Sequence, residues 1–313
     1  MKTLTAVAAG FVVLGLLPAS AVQSKGFLGR WNLTGTGKDA DHIYWLEVAE
    51  KDGQLSGKFL NRGGSPVALA SVKLEGGTLV FQMPPGDDKQ PGMEFRATLQ
   101  GEKLVGSHRE RDRTVNWVGV RPPKWPTSDA NAKHAYGTPV DLFGGKVQTP
   151  DAFRPQSGDK IVNWSVTDGV LANAPPASNL VSKEKFKDFK VQAEYKLAEG
   201  SNSGIYLRGR YELQVLDDYE KPVESHGHMA VYSWNAPLVN ASKPAGEWQS
   251  MEAVIVGNRV TVTLNGQKVQ DNTEIQAITG GALDADELAP GPIMVQGDHA
   301  KVWLRKLTVT PIK

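Results

Sequence analysis

The sequence predicts an all-β chain: a small antiparallel β-barrel or curved sheet, followed by a two-sheet sandwich of jelly-roll type. Three observations predict it. Short runs of alternating apolar and polar residues follow one another, separated by Gly-containing turns. Glycine (33) and proline (19) are plentiful, and Val, Thr and Trp recur inside the runs. Helical periodicity is nearly absent, and the best short helix lies around Leu283 to Leu288.

The first half reads as a meander from about Gly29 to Val120. After the opening "GRWNLTG", "YWLEVAE" and "LSGKFL" flank the turn "KDGQ". "ASVKLEGGTLVFQM" places Ala70, Val72 and Leu74 before a Gly-Gly turn and Leu79 and Phe81 after it. "EFRATLQGEKLVGSHRE" turns at Gly101, and "TVNWVGVRPP" closes the half. Trp31, Trp45 and Trp117 are expected to fill a small core, with a sugar platform as the alternative. "RPPKWPTSDANAKHAYGTP", residues 121–139, is rich in proline and small polar residues and reads as a linker. In the second half, 140–313, "NWSVTDGVLAN" is a hairpin turning at Asp168-Gly169. "FKDFKVQAEYKLAEG" alternates Phe189, Val191, Ala193 and Tyr195 against polar residues. "WQSMEAVIVGNRVTVTLNGQKVQDN" is two hairpins, turning at Gly257-Asn258 and Asn265-Gly266. "AKVWLRKLTVTPI" is the last strand, and Trp248 and Trp303 are expected in the core.

Residues 1–21 read as a secretory signal peptide. Lys2 precedes an apolar run from Leu4 to Leu17, then Pro18 and the small-residue site Ala19-Ser20-Ala21. The run is shorter than the roughly 20 residues needed to span a bilayer. No later segment is apolar enough to cross, so no membrane span is expected. The expected location is the periplasm or the extracellular space. The chain contains no cysteine, which excludes disulfides, thiolate catalysis and Cys-based zinc sites. Its net charge is +1 and falls to 0 without Lys2, so no basic footprint points to nucleic acid.

The chemistry-bearing residues cluster on "SNSGIYLRGRYELQVLDDY". Ile205, Leu207, Tyr211, Leu213 and Val215 form its apolar face. Tyr206, Arg208, Arg210, Glu212 and Gln214 form the opposite one, with Gly209 marking a bend or turn. Such a polar face is either a solvated sheet surface with a weak Arg–Glu pair or the floor of a polar cleft. Its company favours the cleft. Asn202 and Asp217 flank it, "GHMAVYSWNAPLVNASKPAGEW" adds His228, Tyr232, Trp234 and Asn240, and "VQGDHAKV" adds Gln296, Asp298 and His299.

"VDLFGGK", "NWSVTDGVLAN", "NLVSKEKFKDFKVQAEYKL", "GSNSGIYLRGRYELQVLDDY", "VNASKPAGEWQSMEAVIVGNRVTVTLNGQKVQDNTEI" and "GPIMVQGDHAKVWLRKLTV" occur in one order. Together they closely resemble the 3-keto-disaccharide hydrolase domain family, over nearly all of residues 140–313. The resemblance implies a concanavalin-like jelly roll, similar to lectins and laminarinase-type glucanases. It also implies a glycoside substrate that a partner sugar oxidoreductase has first oxidised at C3. Two departures stand out. Gln214 is an amide where the glucanase motif carries its middle acid. "Gln296-Gly297-Asp298-His299-Ala300" carries an insertion relative to the family's Gln-Asp-His-Gly.

The implied chemistry is keto-assisted elimination. A ketone at C3 acidifies the C2 proton, and loss of that proton expels the C1 oxygen; water then adds back. The site needs a base near C2, donors for the enolate oxygen and an acid for the leaving oxygen. Glu212 or His299 is the expected base. Arg208 and Gln214 are expected to hold the keto and hydroxyl oxygens, and Tyr232 or His228 to assist the leaving group. Asn202, Tyr206, Asp217, Trp234, Asn240 and Gln296 are expected to bind the sugar. A divalent metal, Ca²⁺ or Zn²⁺, is the alternative enolate stabiliser, although no HxxxH or EF-hand spacing is present. A non-catalytic carbohydrate-binding module and a conventional endo-glucanase are the competing functions.

Overall fold

The structure, a computed structural model, describes residues 24–87 and 89–313. The expected signal peptide, 1–21, lies outside them. Nine antiparallel strands, from Gly29–Gly35 to Arg113–Val120, form one sheet. Gly29–Gly35 pairs with both Ile43–Lys51 and Arg113–Val120. The two end strands of that sheet, Val67–Ala68 and Ser71–Glu75, are only two residues apart in sequence. The sheet must therefore curl until its ends meet. Leu69 N–H donates to Gly57 O and Ala70 N–H to Gln82 O, both at 2.9 Å, so consecutive residues bond to the strands on either side of the seam. The result is a small closed barrel, which leaves no long free edge.

The barrel interior is aromatic. Trp31, Tyr44, Phe59, Phe81, Phe95 and Trp117 are all buried, and Phe81 stacks on Phe95 at 5.0 Å. Trp45 belongs elsewhere. On a strand the next side chain points to the opposite face, so Trp45 leaves the barrel and meets Trp234 edge-on at 5.0 Å. With Ile43 and Leu60 it joins the core of the second half. The tryptophans are thus core residues, but of two different cores.

Residues 121–135 contain no strand and lie pinned along the molecule. The Arg121 guanidinium sits 3.5 Å over Trp31, and Ala130 N–H donates to Asn272 Oδ1 at 2.9 Å. Beyond them, two antiparallel sheets face each other. The eight-stranded sheet contains Phe189–Leu197, whose alternate residues are buried as the sequence pattern requires. The five-stranded sheet runs Phe153–Pro155, Leu180–Phe186, Gly291–Val295, Asn202–Leu207, Tyr211–Leu216. Val191, Ala193, Met251 and Val262 from one sheet and Ile205, Leu213, Val215 and Ile293 from the other share one core, giving a jelly-roll sandwich.

The turn expected at Gly209 is that of a hairpin, Asn202–Leu207 and Tyr211–Leu216. Three residues, Arg208 to Arg210, separate the paired Leu207 and Tyr211; Arg208 and Gly209 take positive φ, 54° and 67°, and Arg210 N–H closes the turn on Leu207 O at 3.1 Å. Two expectations need correction. No helix forms at 283–288. Asp286 N–H is captured by Asp284 Oδ1 at 2.9 Å, and Glu287 is drawn to Asn32 and Tyr211 at 2.7 and 2.8 Å. These side-chain bonds compete with helical ones. Trp248 and Trp303 are only half-buried, on the outer face of the eight-stranded sheet. There the Lys196 ammonium lies 5.3 and 4.8 Å from their rings.

Candidate active site

The hairpin Asn202–Leu207 and Tyr211–Leu216 ends the five-stranded sheet and sends its inner face into the core. Its outer face presents Asn202, Tyr206, Glu212 and Gln214. The register sets Tyr206 opposite Glu212 and Gly204 opposite Gln214. Gly204 is required by close approach. A Cβ there would lie 2.3 Å from Glu212 Oε1, so the carboxyl folds over a position that must have no side chain. The outer edge of Tyr211–Leu216 is not free. Tyr232 N–H donates to Glu212 O at 3.1 Å, Gln214 N–H to Ala230 O at 3.1 Å, and Met229 N–H to Gln214 O at 2.7 Å. The loop 229–232 is thereby sewn to the hairpin and stands as a wall beside it.

Over this face lies a cavity of about 290 Å³. Asn202, Tyr206, Glu212, Gln214, Tyr232, Gln296 and His299 line it, so seven of the expected residues are brought together. Asp298 also lines it, with Gln156, Asn179, Met294, Gly280, Gly281, Gly63 and Gly64. A second cavity, about 350 Å³, lies where the linker meets the barrel and sandwich. Its arginines are already paired, Arg30 with Glu47 at 3.1 Å and Arg259 with Glu274 at 2.9 Å. We place the chemistry in the first.

At its centre Tyr206 Oη lies 2.9 Å from Glu212 Oε2, 2.8 Å from Gly280 O and 3.0 Å from Gln296 Nε2. A phenol has one proton to give. Gly280 O can only accept and Gln296 Nε2 only donates. All three contacts are satisfied together when Tyr206 donates to Gly280 O and a protonated Glu212 donates to Tyr206. The electrostatics agree. Burial pushes the Glu212 carboxyl up to about 8; the Asp298 charge adds to the rise, and the Tyr206 hydrogen bond opposes it. Glu212 is therefore an uncharged acid at neutral pH, available to give a proton.

His299 and Asp298 form the second titratable pair, with Nδ1 2.6 Å from Oδ1. Donation from Nδ1 to the carboxylate leaves Nε2 as the free acceptor. Gln214 Oε1 is occupied by the N–H of Val215 at 3.1 Å, so its NH₂ is the end left to donate. Among the described residues no group of three His, Asp or Glu side chains gathers as a metal site.

Five expected residues lie outside the cavity. Arg208 is buried and spent: its guanidinium donates to Lys187 O, to Gly257 O at 2.7 Å and to Asp188 Oδ1 at 2.8 Å. Because the hairpin turns at Arg208, the alternation that aims Glu212 and Gln214 at the cleft does not extend to it. His228 is fully buried between Tyr195 Oη at 2.5 Å and Ser242 Oγ at 2.9 Å. Burial pushes its pKa down to about 4, so it is neutral and structural. Asp217 Oδ2 accepts from Gly200 N–H at 2.8 Å. Trp234 Nε1 donates to Ile278 O at 3.1 Å, and Asn240 Nδ2 donates to Asp218 O at 2.7 Å. His228 and Trp234 thus sit beside the cavity loops at 229–232 and 280–281, whereas Asp217 and Asn240 tie turns away from it. Sequence reasoning missed Gln156, Asn179, Met294 and the four glycines. Gly63-Gly64 and Gly280-Gly281 read as ordinary turn dipeptides, and nothing local signals that they meet.

Residues 138–310 match the family model described as the 3-keto-alpha-glucoside-1,2-lyase-like domain, more than half of the chain. The chain belongs to this family. A 3-keto-disaccharide hydrolase of Bacteroides thetaiotaomicron is 24% identical over 214 residues, covering 55% of this chain and 72% of that one. Among solved structures, one candidate glycosyl hydrolase of Parabacteroides distasonis is 27% identical, covers 60% of this chain and 91% of its own, and superposes with a TM-score of 0.49. A second from the same organism is 22% identical over 56% and 100%, with a TM-score of 0.45. The 3-keto-alpha-glucoside-1,2-lyase-like domain contributes every cavity residue except Gly63 and Gly64, which come from the barrel.

Proposed function

We propose that the chain is an exported carbohydrate-active enzyme that cleaves 3-keto-glycosides by elimination and then hydration, with a separate sugar oxidoreductase supplying the keto substrate. The observation that carries this reading is the neutral, tyrosine-bonded Glu212 beside an amide, Gln214. A double-displacement glycosidase needs an ionised nucleophile about 5–5.5 Å from its acid. An uncharged Glu212 is a poor nucleophile and a good proton donor.

The steps divide among the cavity residues. His299 Nε2, with Nδ1 held on Asp298, takes the C2 proton. The electron pair forms the C1–C2 double bond as the C1–O bond breaks. Glu212 gives its proton to the departing oxygen. The NH₂ of Gln214 donates to the C3 oxygen while it carries negative charge, a role expected from sequence of Arg208 and Gln214 together. Water then adds to the enone, OH at C1 and H at C2, and 3-keto-glucose results. General acid and base steps of this kind each contribute about 10²–10⁴-fold.

The test is direct. The purified protein is incubated with a 3-keto-disaccharide and with its parent disaccharide, and 3-keto-glucose is measured. Release from the first alone supports the reading. Binding without turnover makes the protein a carbohydrate-binding module, and cleavage of unmodified β-glucan makes it an endo-glucanase. Full activity of both Glu212→Gln and His299→Ala removes the assigned roles.

A further inference from the structure

The cavity has two chemically different ends, and Tyr206 and Glu212 lie between them. At one end Asn179 donates to Gln156 Oε1 and accepts from Gly297 N–H, each at 2.8 Å, beside the His299–Asp298 pair. This end is rich in amides and holds the base. At the other end the wall is almost bare backbone, made by Gly63, Gly64, Gly280 and Gly281 with the Tyr232 side chain. Half of those glycines belong to the barrel, in the turn that follows its strand Gln54–Asn61.

That turn is locked in place. Gly281 N–H donates to Arg62 O at 2.8 Å. Ser65 Oγ lies 2.8 Å from His226 Nε2 and accepts from Ser233 Oγ at 2.8 Å. A Cβ on Gly280 would lie 2.3 Å from Gly64 O, so the two backbones touch with no room for a side chain. The barrel turn is therefore tied to both sandwich loops that bound this end.

We propose that the barrel turn Arg62–Ser65 forms the leaving-group subsite and sets how large a leaving group the cavity accepts. The inference rests on the 3-keto-glycoside reading given above. The ring that loses its C2 proton must lie at the end holding His299. Glu212, midway, protonates the bridging oxygen. What departs then lies on the far side of Glu212, against the glycine wall. Backbone N–H and C=O groups there meet sugar hydroxyls, and the face of Tyr232 meets a ring.

Gly63 gives a clean probe. Its φ is not in the left-handed region, and a Cβ there would meet nothing within 4 Å. Gly63→Tyr therefore adds bulk at the cavity wall without straining the chain, whereas Gly64, at φ +72°, would add strain. Wild type, Gly63→Ala and Gly63→Tyr are assayed on a 3-keto-disaccharide and on methyl 3-keto-glucoside. The ratio of the two kcat/KM values is expected to fall at least tenfold in Gly63→Tyr, through a raised KM for the disaccharide, and less than threefold in Gly63→Ala. An unchanged ratio in Gly63→Tyr, with the thermal melt unchanged, overturns the subsite. If the wild type cleaves neither compound, the reaction reading has failed, and calorimetric binding of the 3-keto-disaccharide decides the subsite. Weaker binding by Gly63→Tyr than by wild type supports it; equal binding, or binding by neither, overturns it.

Discussion

The barrel and the sandwich bury polar groups in opposite ways. Inside the barrel Tyr44 Oη, His108 Nδ1 and Trp117 Nε1 are buried without a protein partner; Asn32 Oδ1 and Trp45 Nε1 are so on the side of the barrel that packs on the sandwich, and in the described sandwich strands and loops only Asn235 Oδ1 is. The barrel tolerates polar tips because its aromatic rings are there for bulk. The sandwich cavity holds polar atoms that answer one another, as Tyr206 answers Glu212, Gly280 and Gln296. The difference separates polarity that accompanies packing from polarity arranged in a mutually satisfied network, the one to which proton transfer is assigned in our proposal.

The strongest way to break that contrast is at Glu212. Glu212→Gln keeps shape and neutrality but has no proton to transfer, so kcat on a 3-keto-disaccharide should fall about 10²–10⁴-fold. A loss below tenfold would place the acid elsewhere. Trp45→Ala tests the next point, that a barrel residue belongs to the sandwich core. Emptying so large a buried site costs about 3–5 kcal/mol. One cooperative transition at lower temperature is expected by calorimetry. Two transitions, with only one displaced, would mean that the halves do not share a core.

Stability against pH sharpens the account of Glu212. In the unfolded chain its carboxyl ionises near 4.5, and in the folded protein near 8. Between those values unfolding releases a proton, so wild-type stability falls as pH rises through this window and levels off above it. Glu212→Gln removes the effect. The variant should gain on wild type from pH 5 to pH 8, by about 3 kcal/mol at pH 7. Parallel denaturation midpoints across that range would show that the folded carboxyl is ordinary. The smallest effects come from a matched pair of substitutions. Tyr206→Phe strips the centre of the cavity network and should cost about 1–3 kcal/mol. Tyr44→Phe removes a buried hydroxyl that bonds nothing in the protein and should leave stability unchanged or slightly raised. Equal costs would erase the distinction between the two regions.

Much of this was legible in the chain because strands write themselves as period-two patterns. Phe189, Val191, Ala193 and Tyr195 are buried as their spacing demands, and Asp168-Gly169 and Asn265-Gly266 turn where their positive φ values allow. The same alternation put Glu212 and Gln214 on the outer face. It failed at Arg208, because the three-residue hairpin turn Arg208–Arg210 ends the alternation and lets the guanidinium reach the backbones at Lys187 and Gly257. His228 misled for a different reason. A loop histidine looks alike whether it faces a cavity or, as here, a buried tyrosine and serine. Gly64 and Gly280 could not be paired by any local rule, because their contact is made by packing between distant segments.

The loop 229–232 has one more consequence. It occupies the carbonyl of Glu212 and both backbone groups of Gln214, while Thr279 Oγ1 accepts from Glu212 N–H; these would otherwise be the exposed rim of the five-stranded sheet. An uncovered rim of this kind is a template on which another chain can add a strand, and so a seed for aggregation. Here the strand that carries the acid is capped by the wall of its own cavity. Loosening that loop to admit a larger substrate would therefore carry a second penalty in solubility, borne by the same few hydrogen bonds that shape the site.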